Sequence, residues 1–289
     1  MLTIFTDTDT DITLKDANEF GIKLIPMPYI MDEKVIYTYR DFEEFDYKPY
    51  YDRLRGGYVP KTAALNMAEY IEIFEEEYKK GNDILYIHFS NKLSGTFNAM
   101  NMAVDELKEK YPERKFTAID TLTISCGSYS MIVDFLKEVK KGKSVEELVK
   151  WAEEERQHYN LLIMADDLQF FKASGRVSGV AAFAGTLLNL KPLIKIFDDG
   201  TMGNYAKVRG SKAGIDAFIK EVEQNQIDIK KHGIVVGHAD AKDNCDKLIN
   251  GLKAKFGDDL PIRIVLVNPT IGAHCGPGAI GIGYYGKKR

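Results

Sequence analysis

The chain alternates short apolar runs with longer segments in which apolar residues recur every three or four positions. Residues 84–89 form the clearest apolar run, which is typical of a buried strand. Turn-forming residues occupy positions 90–96, and Met100 and Val104 then follow at helical spacing. The pattern therefore predicts a strand, a loop that contains Ser94, and a helix, in that order.

The first half of the chain contains further predicted elements of both kinds. Predicted strands cover residues 2–7, 22–30 and 116–120, and a hairpin or irregular excursion is expected at residues 35–39. Residues 41–54 are expected to be helical but broken near Pro49, and another helix follows residues 125–128. Three helix starts are predicted where a capping residue precedes an acidic residue by three positions: Thr13 with Asp16, Asn66 with Glu69, and Ser144 with Glu147.

A second unit is predicted to begin near residue 161. Its predicted strands are 161–165, 233–237 and 262–267, its hairpin pairs 193–197 with 205–208, and its helices lie around 215–222 and 248–256. Residues 167–179 are expected to form a polar connection and residues 180–190 a buried helix. Because strands alternate with helices, the sequence predicts an α/β protein with a mostly parallel sheet in the first of two domains, 1–160 and 161–289.

Composition limits the classes of function. The 289 residues carry a formal net charge of −4 without a basic block, which argues against nucleic-acid binding. We find neither an apolar run long enough to span a membrane nor a signal pattern, so no stable membrane insertion and a cytoplasmic location are expected. The three cysteines are far apart in the sequence, and their spacing suggests neither a disulfide framework nor a zinc site.

Several polar loops are expected to meet at one edge of the predicted parallel sheet. Ligands of such sheets bind beyond the carboxyl ends of the strands, where the loops with Asp7, Thr62, Ser94 and residues 121–128 would converge. Ser94 and Gly95 stand where a helix begins, and the free N–H groups there can hold a phosphate or a carboxylate. Helix capping alone is the simpler interpretation of Ser94.

One hypothesis is a metal-dependent phosphatase that uses Asp7 and Asp9. An apolar strand followed by Asp-x-Asp-x-Thr resembles the opening motif of haloacid-dehalogenase-type phosphatases, in which the first carboxylate attacks phosphate and Mg²⁺ neutralises the charge. Asp166 and Asp167 follow a predicted strand, as the metal-binding carboxylates of those enzymes do. However, about 120 residues after this second motif are left without a role.

A second hypothesis is a serine hydrolase with Ser94 as the nucleophile. The surrounding residues do not form a Gly-x-Ser-x-Gly motif, and no histidine is tied to Ser94 by its spacing. His88 lies on an apolar strand and is expected to be a core residue. His238 and His274 are expected to end or follow strands and remain candidate neighbours.

Five short motifs in one order resemble the DegV family, the bacterial fatty-acid-binding proteins that present their ligand to a fatty acid kinase. They are Ile-Phe-Thr-Asp-Thr-Asp-Thr-Asp-Ile at 4–12, Lys-Thr-Ala-Ala-Leu-Asn at 61–66, Leu-Ser-Gly-Thr at 93–96, Gly-Arg-Val-Ser at 175–178 and His-Cys-Gly-Pro-Gly-Ala at 274–279. The resemblance covers essentially the whole chain. The second motif departs from the family pattern at Ala63, Ala64 and Leu65, where a hydroxyl and a proline are missing.

The resemblance implies a fold, a ligand, a partner and a set of site residues. The fold would add a C-terminal α/β domain with a mixed sheet, and a long-chain fatty acid would lie in an apolar tunnel between the domains. Its carboxylate would meet Thr62, Ser94 and His274, and residues 181–188 could line the tunnel. Further residues are expected to support the head-group loops: Gly95, Thr96, Gly127, Ser128, Gly276 and Gly278.

In this interpretation the chain is a carrier with no catalytic residue, no metal and no cofactor, and the fatty acid is its ligand. An ATP-dependent fatty acid kinase would be its partner and would phosphorylate the carboxylate. Arg176 is the candidate residue for docking that kinase or its phosphate. The phosphatase and hydrolase hypotheses remain the alternatives.

Overall fold

The computed structural model describes residues 1–178 and 189–289. Its strands are β1 (Leu2–Asp7), β2 (Lys23–Ile25), β3 (Pro28–Met31), β4 (Lys34–Tyr37), β5 (Lys61–Thr62), β6 (Asp83–His88), β7 (Phe116–Asp120), β8 (Tyr159–Met164), β9 (Val177–Ser178), β10 (Leu190–Ile196), β11 (Met202–Arg209), β12 (Ile234–His238), β13 (Ile262–Leu266) and β14 (Ile280–Tyr285). Its helices are α1 (Leu14–Phe20), α2 (Tyr47–Arg55), α3 (Met67–Lys79), α4 (Thr96–Lys110), α5 (Ser125–Lys140), α6 (Val145–Glu155), α7 (Leu168–Ser174), α8 (Gly210–Asn225), α9 (Ile229–His232), α10 (Lys242–Phe256) and α11 (Pro269–Cys275).

The first sheet is parallel, as the alternation of strands and helices predicts. Its order is β2-β1-β6-β7, and every neighbouring pair in it is parallel. The central strand β6 contains Leu85, Tyr86 and Ile87, whose side chains are all fully buried. A strand buried on both faces reads as a continuous apolar run, which explains why this segment stands out in the sequence.

The three predicted capping boxes are all present. The side chains of Thr13, Asn66 and Ser144 each accept a hydrogen bond from the backbone N–H three residues later. In each box the acidic side chain of that later residue accepts a hydrogen bond from the backbone N–H of the capping residue. They begin α1, α3 and α6 at the predicted residues. Each box satisfies two N–H groups that the helix itself cannot pair.

The second sheet is mixed and has seven strands in the order β13-β12-β14-β8-β10-β11-β9. The β12–β13 and β11–β9 pairs are parallel, and the other pairs are antiparallel. The predicted hairpin is the antiparallel pair β10–β11. This sheet confirms the α/β class with one parallel and one mixed sheet.

Helix α5 comes from the first half of the chain but packs against the second sheet. A Cβ atom at Gly283 on β14 would lie only 2.1 Å from the carbonyl oxygen of Cys126 on α5, so this approach requires glycine. One apolar core accordingly contains residues of both sheets, from Phe5 to Ala279. The predicted boundary at residue 160 lies at the start of β8 and stays a prediction.

Several elements differ from the predicted ones. Residues 22–30 do not form one strand, because β2 ends before Pro26 and β3 belongs to a small antiparallel sheet with the order β4-β3-β5. Between the two strands, the Met27 N–H donates to Thr8 Oγ1 at 3.0 Å instead of to a ladder partner. Helix α2 contains Pro49 in its first turn, where proline is tolerated, and is not broken there.

Three short helices were not predicted: α7, α9 and α11. Residues 168–174, expected to be part of a polar connection, form α7, and residues 269–275 form α11, so His274 lies in a helix and does not follow a strand. The helix predicted at 180–190 and the tunnel wall predicted at 181–188 lie outside the described residues, except that Leu190 begins β10. No helix within 1–178 or 189–289 combines the length and the apolar content needed to cross a membrane.

Candidate functional site

A largely apolar cavity lies where the loops after β1, β6 and β7 meet α7, α11 and the second sheet. It encloses about 650 Å³ of empty space, part of it open to solvent. Most of its wall is apolar and includes Met27, Phe89, Leu93, Ile124, Ile163, Phe171, Met202 and Ile271. A pocket lined mainly by apolar side chains with a few polar groups is typical of sites that hold mainly apolar ligands.

Thr62 and His274 form one polar edge of this cavity. Thr62 Oγ1 and His274 Nε2 share a hydrogen bond of 3.2 Å across 212 residues of sequence. Strand β5 holds Thr62 opposite Tyr29, and the last turn of α11 holds His274. Both residues also line an open depression on the outer side, so they stand at the mouth of the cavity.

The imidazole of His274 is neutral at pH 7. Burial, helped by the positive charge of Arg176, lowers the pKa of His274 to about 4. Nδ1 has no hydrogen-bond partner among the described residues. A proton on Nε2 would be donated to Thr62 Oγ1 and would leave the Thr62 O–H free to donate to a ligand oxygen.

Ser94 lines the same cavity from the loop between β6 and α4. Its Oγ accepts a hydrogen bond of 3.2 Å from the N–H of Thr96, the first residue of α4. The N-cap residue itself is Gly95, so the predicted cap lies one residue further along the chain. Because Ser94 Oγ is the acceptor in this bond, the Ser94 O–H can still donate to a ligand. This hydroxyl lies beside the positive end of a 15-residue helix.

Arg176 is exposed and borders the mouth. It lines the cavity and two adjoining surface depressions. Its Nε donates to the carbonyl oxygen of Leu93 at 3.4 Å, and its Nη1 donates to the carbonyl oxygen of Ser174. Both partners in the described part of the chain are neutral, so the guanidinium charge there remains available to an anion.

The position of His274 depends on Asn268, which caps α11. Asn268 Oδ1 accepts hydrogen bonds from the N–H groups of Thr270 and Ile271 at 2.8 and 3.0 Å. Its Nδ2 donates to Asp11 at 2.8 Å and to the carbonyl oxygen of Thr8 at 2.7 Å. The loop after β1 therefore fixes the start of the helix that carries the mouth histidine.

Comparison with known proteins gives the family. The family model described as "Uncharacterised protein, DegV family" matches residues 1–287. A DegV domain-containing protein of Clostridium perfringens is 31% identical to the chain over 290 residues, which cover 99% of this chain and 98% of the relative. This chain belongs to the DegV family.

Two solved structures share the DegV fold over their whole length. A DegV lipid-binding protein from Thermotoga maritima has a TM-score of 0.84 at 24% identity and covers 100% of this chain and 99% of its own. A stearic acid-binding protein from Eubacterium ventriosum has a TM-score of 0.86 at 20% identity and covers 99% of both chains. These structures confirm the α/β fold class of the DegV chain.

The remaining residues of the DegV loop at 93–96 support the helix and not the cavity wall. Thr96 is fully buried, and its Oγ1 lies 3.0 Å from the hydroxyl of Tyr70 and 3.4 Å from the carbonyl oxygen of Leu65. These bonds join α4 to α3. A Cβ at Gly95 would meet nothing within 4 Å, so the space at this position does not require glycine.

Gly127 and Ser128 lie in the first turn of α5. Ser128 Oγ shares a hydrogen bond of 2.8 Å with Thr121 Oγ1, and a Cβ at Gly127 would lie 2.2 Å from Thr123 Oγ1. The described cavity wall includes Ile124 and Ser125 instead of these two residues. Their expected head-group role stays a prediction, and their observed contacts hold the loop before α5.

Gly276 and Gly278 allow close packing behind the mouth. Both have positive φ angles, +73° and +85°. A Cβ at Gly276 would lie 2.2 Å from the ring of Phe170, and one at Gly278 would lie 2.7 Å from Asp166. The backbone therefore approaches Phe170 and Asp166 here, and the close approach of these glycines to the head group stays a prediction.

The carboxylates of the phosphatase hypothesis are arranged differently from a metal site. Asp7 Oδ2 accepts hydrogen bonds from the Tyr86 hydroxyl at 3.0 Å and the Phe89 N–H at 3.2 Å, and burial raises the pKa of Asp7 to about 7 despite these bonds. Asp166 pairs with Lys191, and Asp167 caps α7. Within the described residues, no three His, Cys, Asp or Glu side chains are grouped as metal ligands.

The histidines do not favour the hydrolase hypothesis. His274 contacts Thr62, and a pKa of about 4 makes it a weak base. Nδ1 of His88 lies 2.6 Å from the carbonyl oxygen of Phe89, and its ring packs on Phe97, as expected for a core residue. His238 Nδ1 accepts the N–H of Ala241 at 3.3 Å.

Sequence reasoning missed Asn268 and Asp11 as residues that shape the site. Asn268 is followed directly by Pro269, and a capping residue before proline is a recognised helix start. That signal would have predicted α11. The bond from Asn268 to Asp11 joins residues 257 positions apart, and no local pattern indicates it.

Proposed function

We propose that this chain binds a long-chain fatty acid in the cavity, with its carboxylate at Thr62, Ser94 and His274. The observation that carries this proposal is the combination of an apolar cavity with hydroxyl groups and a neutral imidazole at its mouth. The acyl chain would bury apolar surface, worth about 0.8 kcal/mol for each CH₂ group. The related structures from Thermotoga maritima and Eubacterium ventriosum, described as lipid-binding and stearic acid-binding, support the same ligand class.

The groups at the mouth can donate hydrogen bonds to a partly buried carboxylate. A carboxylate that loses water must keep its oxygens hydrogen-bonded, or the complex loses several kcal/mol. Ser94 and Thr62 each offer an O–H, and the N-terminus of α4 supplies positive potential. Asp166 forms an ion pair with Lys191, and Asp167 caps α7. These two carboxylates therefore do not compete with the ligand for the donors at the mouth.

We further propose that the chain presents this carboxylate to an ATP-dependent fatty acid kinase. In that reaction a carboxylate oxygen attacks the γ-phosphorus of ATP, the acyl phosphate forms, and ADP leaves. The carrier contributes no nucleophile of its own and holds the reacting oxygen at an open mouth. Arg176 is suited to grip the kinase or the transferred phosphoryl group, because its charge faces that mouth without a carboxylate partner in the described chain.

Titration of the delipidated protein with stearate and with butyrate tests the binding proposal. Stearate should bind at micromolar concentration or better, and butyrate, which has the same head group and little tail, should not. Equal affinity for the two acids would refute an apolar acyl site.

A further inference from the structure

Asp9 lies on the wall of the cavity, away from its mouth. Thr62, Arg176 and His274 line both the cavity and the outer depression, whereas Asp9 lines only the cavity. Only 6% of Asp9 is exposed. A carboxyl group in the inner wall of an otherwise apolar acyl site is the feature that the proposed function leaves unexplained.

The Asp9 carboxyl group has no hydrogen-bond partner among the described residues. Its Oδ1 is fully buried and unpaired. The neighbouring Asp11 is satisfied by Asn268 and Ser125, and one oxygen of Asp7 is satisfied by Tyr86 and Phe89. Because an unpaired buried polar group costs free energy, a polar ligand group that pairs with Asp9 would be stabilising.

The surroundings of Asp9 favour its neutral form. Burial raises the pKa of Asp9 well above its usual range, and the negative charges of Asp7 and Asp11 raise it further. A protonated carboxyl offers one O–H donor and keeps acceptor capacity, which matches a hydroxyl group. A cation is a poorer match, since the described residues contain no grouped metal ligands.

The other polar residues of the wall near Asp9 are already paired. Ser125 donates its hydroxyl to Asp11, and Thr270 donates its hydroxyl to the carbonyl oxygen of Met27 at 3.3 Å. Neither hydroxyl is free to donate to Asp9. A plain hydrocarbon chain beside this wall would leave Asp9 unpaired, whereas a substituted chain could pair with it.

We propose that the cavity prefers an acyl chain with a hydroxyl substituent along its length and that Asp9 is the partner of that hydroxyl. This inference rests on the proposed fatty-acid function and names the substrate class within it. The preference arises because a hydroxyl on the chain can pair with the Asp9 carboxyl that lines the cavity, whereas stearate offers that carboxyl no hydrogen-bond partner.

Competing acids measured on the delipidated protein test this preference. The probes are stearic acid, 10-hydroxystearic acid and 12-hydroxystearic acid, each titrated by calorimetry. At least one hydroxystearate should bind the unchanged protein about tenfold more tightly than stearate. Stearate binding as tightly as both hydroxy acids overturns the preference but leaves the proposed function standing, whereas binding of none of the three acids overturns both.

Three variants assign the preference to Asp9. Asp9→Leu should abolish or reverse the ratio of the two affinities, because stearate gains an apolar wall and the hydroxy acid loses its partner. Asp9→Asn keeps a donor and an acceptor and should retain the preference. Asp105→Asn changes an exposed carboxylate on α4 outside the cavity wall and should leave the ratio unaltered. A preference that survives Asp9→Leu in folded protein belongs to another residue and overturns the role of Asp9.

Discussion

Asp11 accepts two hydrogen bonds from Asn268, 2.9 Å long from its backbone N–H and 2.8 Å long from its Nδ2. Asp11 belongs to the loop after β1, and Asn268 begins the helix that carries His274. Ser125, at the start of α5, also donates to Asp11. One carboxyl group therefore connects three segments of the cavity wall.

Asn268→Ala should lower both stability and fatty-acid affinity. The substitution removes the cap of α11 and leaves the buried Asp11 with fewer donors, which together should cost about 3 kcal/mol of unfolding free energy. Affinity should fall as well, because His274 loses its fixed position. Urea denaturation and calorimetric titration with stearate measure the two effects.

Ser144→Ala is the matched control for this variant. Ser144 also caps a helix, α6, with its side chain accepting the Glu147 N–H at 3.2 Å, but it is not part of the cavity wall. It should cost about 1 kcal/mol of stability and leave stearate affinity unaltered. Equal loss of affinity in both variants would show that general destabilisation, and not the position of α11, governs binding.

Thr62→Val and Ser94→Ala should weaken fatty-acid binding without unfolding the protein. Both remove a hydroxyl at the mouth, and a hydrogen bond to a charged group contributes about 1.5–3 kcal/mol. The dissociation constant for stearate should rise for each variant, while the melting temperature should stay close to that of the parent. Thr117→Val, on β7 outside the cavity wall, is the control, and unchanged affinity in the Thr62/Ser94 double variant would contradict the head-group assignment.

His274 should make the delipidated protein less stable in acid. Its folded-state pKa of about 4 lies below the 6.5 of an unperturbed histidine. The unfolded chain therefore takes up a proton below pH 6.5 that the folded protein takes up only near pH 4, so stability is lost as pH falls through this window. Urea denaturation at pH 7.5 and pH 5 should show a loss of about 1–2 kcal/mol that His274→Gln lacks; an identical pH dependence in the variant would mean that His274 is not buried in its neutral form.

Elements set by neighbouring residues were predictable from the sequence. The capping boxes at Thr13, Asn66 and Ser144 act within three residues, and the apolar run at β6 is local as well. The motif at 93–96 also placed Ser94 correctly before a helix. In each case the pattern and the interaction that it predicts lie in the same short segment.

Elements set by distant contacts were not predictable in this way. The division between β2 and β3 depends on the hydrogen bond from the Met27 N–H to Thr8. Helix α7 is only seven residues long and is stabilised by the burial of Phe170 and Phe171. The Thr62–His274 pair joins a two-residue strand to the last turn of α11. Because the partner residues are chosen by the tertiary fold, the pair itself was expected only from the resemblance.

Arg176→Ala should separate binding from presentation. The acyl chain, Thr62, Ser94 and His274 remain in this variant, so bound lipid and melting temperature should be retained. ATP consumption with a cognate fatty acid kinase should fall about tenfold or more, since the cation at the mouth is lost. Lys172→Ala, an exposed cation on α7, is the control; normal ATP consumption in Arg176→Ala would end the docking role and leave the carrier assignment intact.

Native mass spectrometry of protein purified without added lipid tests the central claim most directly. A fatty-acid carrier should retain one acyl chain per protein, visible as an added mass that organic extraction releases as a free fatty acid. The Thr62→Val/Ser94→Ala double variant should retain less, at the same level of folded protein. A parent protein that carries no acyl chain and takes up none from added stearate would contradict the account.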